Sequence, residues 1–220
     1  MDIFCGYCHI TRRVKNKQSY FCSDVNPLLL ILLKAIQDNL PLPTVSRERY
    51  SQLRKSEDLT LERAFAAFAC SYNGREFGGY VSHYRRRNGR VDDIIQSRIN
   101  YYSKLRDSPS FRDATLRCCD YRSLSPTGCL VYCDKPYAGC TGYSQPFDHE
   151  EFWRVATEWS SSNVVLVSEY ECPHPEWVCV ASAPKRNTVA GGHKQVIVQE
   201  RLFAHASSLS RFPPSLLPSP

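Results

Sequence analysis

Six residues, Gly-Cys-Leu-Val-Tyr-Cys from Gly128 to Cys133, form a short run that is almost wholly apolar, β-branched or aromatic. Pro126 and Gly128 bound it on one side, Pro136 and Gly139 on the other. A run this short between such breakers reads as a buried strand. Asp134 then stands where the strand leaves its sheet. Pro136 holds Lys135 in an extended backbone and removes one amide donor, and Tyr137 offers a flat face. Ligands of open α/β sheets bind at this rim, so an acidic residue, a proline and an aromatic in that order point to a pocket for a planar amine.

The same strand-and-turn rhythm recurs along the chain. Residues Met1 to Phe4 read as the tail of a strand whose beginning is absent, because strands ordinarily run to about five or six residues. A second strand, Tyr20 to Ser23, ends at Asp24. Asn26 then caps a helix with Pro27 at its first position, PLLLILLKAIQDNL, whose apolar opening turns suit packing on a sheet and which Pro41 and Pro43 stop. After Thr115 come a strand in ATLRCCD, the Gly128–Cys133 strand, a helix from Asp148 to Ser160 and a strand from Asn163. WVCVASA and QVIVQERLF then read as a closing hairpin. The fold class expected is α/β.

A middle block differs in chemistry. The periodicity predicts helices over Leu59 to Cys70 and over Val91 to Leu105. Between them YNGREFGGYVSHYRRRNGR carries four glycines, five arginines and four aromatics, and reads as a loop region outside the core. Interleaved arginines and aromatics suit phosphate contacts with base stacking. A solvated basic loop accounts for the same composition.

At 220 residues the chain suits one domain with an insertion. The net charge of +6 tilts towards a polyanionic partner. The longest apolar stretch, Leu28 to Leu33, stops at Lys34, far short of a membrane span, and no signal-peptide pattern opens the chain. A soluble, intracellular (cytoplasmic) protein is therefore expected. Eleven cysteines, an odd number, then read as reduced thiols. Cys70, Cys118, Cys129, Cys133 and Cys179 lie in apolar runs and read as small core residues. Cys5 and Cys8, with His9 adjoining, have metal-ligand spacing, but no second cluster completes a zinc set, so no metal is expected.

Taken in order, DIFCGYC, DVNP, CDYRSL, YCDKPYAGCTGY, FDHEEFW and VSEYECP resemble the Dam-like class of N6-adenine DNA methyltransferases, the phage and viral members above all. The resemblance covers Asp2 to about Phe203, and its strongest element is the order of the segments. It implies a Rossmann-like fold that binds S-adenosylmethionine, with a helical target-recognition insertion. The divisions implied are 1–57 for the cofactor-binding part, 58–114 for the insertion, 115–204 for the catalytic part and 205–220 for a disordered tail. The chain opens inside the cofactor motif, where the family carries an upstream helix.

By the same resemblance Asp2, Phe4 and Gly6 fall on the cofactor motif, where a glycine turn lets backbone amides approach a carboxylate. Asp24 falls on the acceptor for ribose hydroxyls, and Asp120 with Tyr121 on the site for the cofactor's adenine. For either aspartate, a turn or helix cap explains the residue alone. Asp134, Lys135 through its backbone, Pro136 and Tyr137 fall on the catalytic DPPY motif, with lysine in place of the first proline and a cation brought beside the pocket. Arg75, Tyr80, Arg85, Arg86, Arg87 and Arg90 fall where the recognition region begins. Glu169 and Tyr170 end the next strand, shaping the pocket or facing solvent.

The implied activity is site-specific adenine methylation of DNA by a monomer, with a restriction endonuclease as a possible partner and no membrane association. The competing reading is an impaired or inactive methyltransferase fold that acts as a DNA-binding or interaction module.

Overall fold

The chain is mixed α/β, with a seven-stranded, mostly parallel sheet and several helices, an architecture compatible with a Rossmann-like fold. It is seen in a computed structural model that describes residues 1–15, 19–86, 88–137, 147–188 and 195–212. Two compact units divide it, one of Met1–Phe4 with Tyr121–Pro220 and one of Cys5–Asp120. Residues 58–114 thus share a unit with residues 5–57.

In the first unit β1 (Asp2–Ile3) pairs in parallel with β6 (Leu130–Cys133), and β6 in parallel with β7 (Val164–Glu169). β9 (Gln195–His205) then runs antiparallel beside β7, with β8 (Trp177–Thr188) outside it, so the closing hairpin folds back to put its second strand inward. Val131, Cys133, Val165 and Val167 are fully buried, as the apolar runs require of strands covered on both faces. α6 (His149–Ser160) supplies the cover. The Asp148 side chain accepts the Glu151 amide at 2.9 Å to cap it, and Phe152, Trp153, Val155, Ala156 and Trp159 form its buried stripe.

β8 runs on through Pro184 and Lys185, beyond the expected WVCVASA segment. A proline is tolerated there because β8 is the outer strand of the order β7-β9-β8, where an amide donor can be missing. Residues 205–212, expected in a disordered tail, complete β9 at His205 and then form a 3₁₀ helix, Ala206–Arg211, with Ser208 buried.

In the second unit β2 (Tyr20–Asp24) and β5 (Ala114–Cys118) pair in parallel, Asp24 opposite Cys118. α1 (Pro27–Gln37) starts as expected, with the Asn26 side chain accepting the Leu29 amide at 3.1 Å. Its leucines join α2 (Arg47–Lys55) and α3 (Leu61–Phe68) in one core with Tyr50, Phe65, Phe68 and Leu105. The expected helix from Val91 begins only at Ile94. Val91–Asp93 is instead β4, antiparallel to β3 (His83–Arg85), and Asp93 caps α4 (Ile94–Arg106) through the Gln96 amide at 2.8 Å. A short α5 (Pro109–Arg112) leads into β5.

The segment read as lying outside the core enters it in part. Phe77 and Tyr80 pack against the core, both edge-on to Tyr50. The cysteine expectation also needs correction. Cys70 and Cys133 are buried, but Cys118 is exposed and Cys129 and Cys179 are only half-buried, because the first two lie at strand ends and the third at a bulge in the outer strand. Cys5, Cys8 and Cys22 are the other buried thiols among the described residues.

Candidate active site

The register of β1 with β6 sets Ile3 beside Cys133, so Phe4 and Asp134 leave the sheet at the same edge. Cys133 pairs with Val167, which brings Ser168 and Glu169 alongside the next residues of the β6 exit. From there the side chains alternate. Asp134 is exposed, Lys135 is buried, Pro136 is half-buried and Tyr137 is buried.

Lys135 does not bring a free cation to the rim. Its ammonium is 1% exposed and donates to Glu169 Oε2 at 2.5 Å, to His149 Nδ1 at 3.3 Å and to the Pro136 carbonyl at 3.5 Å. The rings of Phe152, Trp153 and Phe147 surround it, with centres 5.5, 5.6 and 5.9 Å away. Glu169 is likewise buried, and its other oxygen accepts the Tyr170 amide at 2.8 Å. Of the two sequence-based alternatives for Glu169, a solvent-facing strand end is excluded. Burial and the neighbouring Lys135 charge lower the His149 pKa, which keeps the imidazole a neutral acceptor.

Tyr137 is held at both ends. Its hydroxyl donates to Glu200 Oε1 at 2.5 Å and lies 2.6 Å from Ser168 Oγ. Tyr170 meets its ring edge-on at 4.7 Å, and the Lys185 ammonium stands 5.1 Å from the ring centre while pairing with Glu200. Asp134 faces this cluster. Desolvation by the surrounding walls raises its carboxyl above the usual range, the Tyr137 hydroxyl and Lys185 pull it back, and Glu200 and Glu169 push it up again. The residue as a whole is nonetheless exposed.

Ser168, Lys185, Glu200 and His149 were not singled out from the sequence. A signal existed for Glu200, a charged residue inside the alternating run QVIVQERLF, where Gln199 faces solvent and Glu200 is half-buried.

The other expected residues divide by unit. Asp2 is buried within β1. Phe4, at φ +63°, packs with Tyr121 against Phe147 and Phe152, and Tyr121 also meets Trp159, so both rings serve an aromatic cluster.

In the second unit the Asp24 carboxylate accepts the amides of Gly6 at 3.2 Å and Asn26 at 3.0 Å. Gly6 has φ +48°, a conformation a Cβ disfavours, and it aims its amide at that carboxylate. Desolvation raises the Asp24 pKa and the amide donors oppose the rise. Cys119 donates its amide to the Asp24 carbonyl at 3.1 Å, which sets half-buried Asp120 near the same end of the β2–β5 pair.

Among the candidate DNA contacts, Arg75 and Arg85 are exposed, and neither makes an ion pair among the described residues. Arg86 and Arg90 both pair with Asp92, the latter at 2.8 Å. Tyr80 is spent internally, its hydroxyl donating to the Val45 carbonyl at 3.3 Å under the Arg47 guanidinium. Arg87 lies outside the described residues. No three histidine, cysteine or acidic side chains among the described residues are placed to hold a metal ion, and no helix there is long and apolar enough to cross a membrane.

The sequence matches no protein-family model, and comparison with curated proteins finds no significant match.

Proposed function

We propose that the chain is a Dam-like methyltransferase that transfers a methyl group from S-adenosylmethionine to N6 of an adenine extruded from DNA. One observation carries the reading. The carboxylate of the exposed residue Asp134 and the Lys135 carbonyl adjoin each other at the carboxyl end of β6, a parallel strand flanked by β1 and β7, beside an aromatic ring. Sites of α/β proteins lie at this end of the strands.

An exocyclic adenine amine is a weak nucleophile because its lone pair is delocalised into the ring. Two acceptors fixed in space, the carboxylate and the peptide oxygen, take its two hydrogens and leave the pair directed out of the plane. A base must leave the duplex to reach them. Asp134 then receives the proton released by the amine and passes it to water.

The donor set suits the cofactor. Asp24 carries amide donors from Gly6, Asn26 and Val25 on a carboxylate that offers about four lone-pair sites, so an acceptor remains for a ribose hydroxyl. Asp120, at the end of the neighbouring strand, is the acceptor for an adenine amine. The bound cofactor supplies the sulfonium methyl.

Purified protein incubated with labelled S-adenosylmethionine and unmethylated DNA tests the proposal. Label is expected on adenine N6, with at least a hundredfold loss in Asp134→Ala. An inert wild-type chain that also gives no heat with the cofactor overturns it.

A second reading has its own support. Tyr137 is 9% exposed and Lys185 covers its ring, so the face needed for stacking is occupied. A fold that binds DNA without catalysis would grip it in a salt-dependent way with no response to the cofactor.

A further inference from the structure

We propose that the Lys135–Glu169 ion pair is a positioning device, the two side chains together holding the Asp134 carboxylate and the Lys135 carbonyl in register as paired acceptors. The inference rests on the proposed methyl transfer and goes further, because it assigns a task to the lysine that stands where the resemblance leads one to expect proline.

The backbone argument comes first. Pro136 confines Lys135 to an extended ψ and so limits where the Lys135 carbonyl points. It does nothing for φ of Lys135, which a ring at that position would lock. The Asp134–Lys135 peptide is therefore free to rock unless the Lys135 side chain is tied down.

It is tied at every donor. An ammonium has three N–H groups, and the acceptors at Glu169, His149 and Pro136 account for all three. The Glu169 carboxylate is fixed in turn by the Tyr170 amide. Glu169 closes β7 and Lys135 leaves β6, so the pair staples the carboxyl ends of two adjacent strands directly behind the exposed acceptor.

Stability alone does not account for the pair. The surrounding Phe147, Phe152 and Trp153 rings would accept a methionine of similar length, and exchanging a buried ion pair for apolar residues is often neutral or stabilising. An apolar side chain would fill the space without fixing a direction. The ion pair fixes one.

Two double variants separate direction from packing. Lys135→Met with Glu169→Gln removes both charges and leaves the backbone unrestrained. Lys135→Pro with Glu169→Gln removes both charges and supplies the ring. Hydrogen exchange is followed at the amides of Asp134 and Tyr137, which both variants keep, and, for comparison, in the rest of β6 and β7.

The methionine variant is expected to exchange at least tenfold faster at those amides alone, and the proline variant to return towards the wild-type rate. In methyl transfer the methionine variant is expected to lose tenfold or more in kcat at unchanged KM for the cofactor, with recovery in the proline variant. Wild-type exchange in the methionine variant, or no recovery with proline, overturns the inference.

Glu169→Asp serves if the methionine variant does not fold, since it keeps the charge and withdraws the carboxylate by one methylene. Faster exchange confined to the same amides supports the clamp, and unchanged exchange overturns it. If the wild-type chain transfers no methyl group, the proposed activity falls while the exchange rates still decide the clamp.

Discussion

The Tyr137 hydroxyl donates to Glu200 across the gap between the β6 exit and β9, 2.5 Å from oxygen to oxygen. Residues 63 positions apart are thereby joined, and Ser168 of β7 stands 2.6 Å from the same hydroxyl. Tyr137→Phe keeps the ring and removes the link. A hydrogen bond to a charged group contributes about 1.5–3 kcal/mol, and the partly exposed Glu200 places this one at the low end. A loss of about 1–2 kcal/mol in unfolding free energy, read from the shift of the denaturant midpoint at unchanged slope, is expected. A change below about 0.5 kcal/mol would mean that water replaces the hydroxyl and that Glu200 does not anchor the motif.

Lys185 bears on the competing functional readings. It covers the Tyr137 ring and pairs with Glu200, an ion pair that is 43% exposed on the lysine side and therefore contributes little to stability. Lys185→Ala uncovers the ring at small cost. If Tyr137 receives a flipped base, the variant is expected to show several-fold brighter fluorescence with DNA containing 2-aminopurine in place of adenine, as an extruded base loses its neighbours. Identical fluorescence in wild type and variant argues that no base reaches that face.

The site was legible in the sequence where local chemistry dictated it. The apolar run before Asp134 and the Asn26 cap each act within a few residues, and each is found as expected. What escaped depends on partners far along the chain. Nothing near Lys135 announces that its charge meets Glu169, 34 residues away, or that Glu200 reaches Tyr137 from the outer hairpin. The hairpin of β3 and β4 escaped for another reason. Its turn signal, Asn88-Gly89, was present, but three-residue strands are too short to show alternation, and Val91–Asp93 ran on into the helical pattern that follows.

His149 gives the ion pair a pH dependence whose sign follows from its lowered pKa. A base with a depressed folded-state pKa stabilises the fold fully above its unfolded value of about 6.5, and that contribution is lost as pH falls through the folded pKa. Protonation removes the Nδ1 acceptor and places a second cation beside Lys135. Melting temperatures of wild type and His149→Gln, compared at several pH values between 5 and 8, are expected to converge as the medium becomes more acid. A gap that widens on acidification would contradict this assignment.

The basic hairpin distinguishes available charge from charge already spent. Arg85 is exposed without an ion pair among the described residues, whereas Arg86 and Arg90 share Asp92. Release of counterions scales with the phosphates a protein neutralises. Arg85→Ala is therefore expected to weaken binding to duplex DNA uniformly across sequences and to reduce the slope of log K against log salt by about one. Arg86→Ala should change the slope by less, since its charge is partly balanced and Arg90 can keep Asp92 occupied. Tyr80→Ala provides the contrast, because its ring is spent on Tyr50 and Arg47, and it should lower thermal stability while leaving the salt slope unchanged. Equal slopes for wild type and Arg85→Ala would remove the hairpin from the proposed DNA-binding surface.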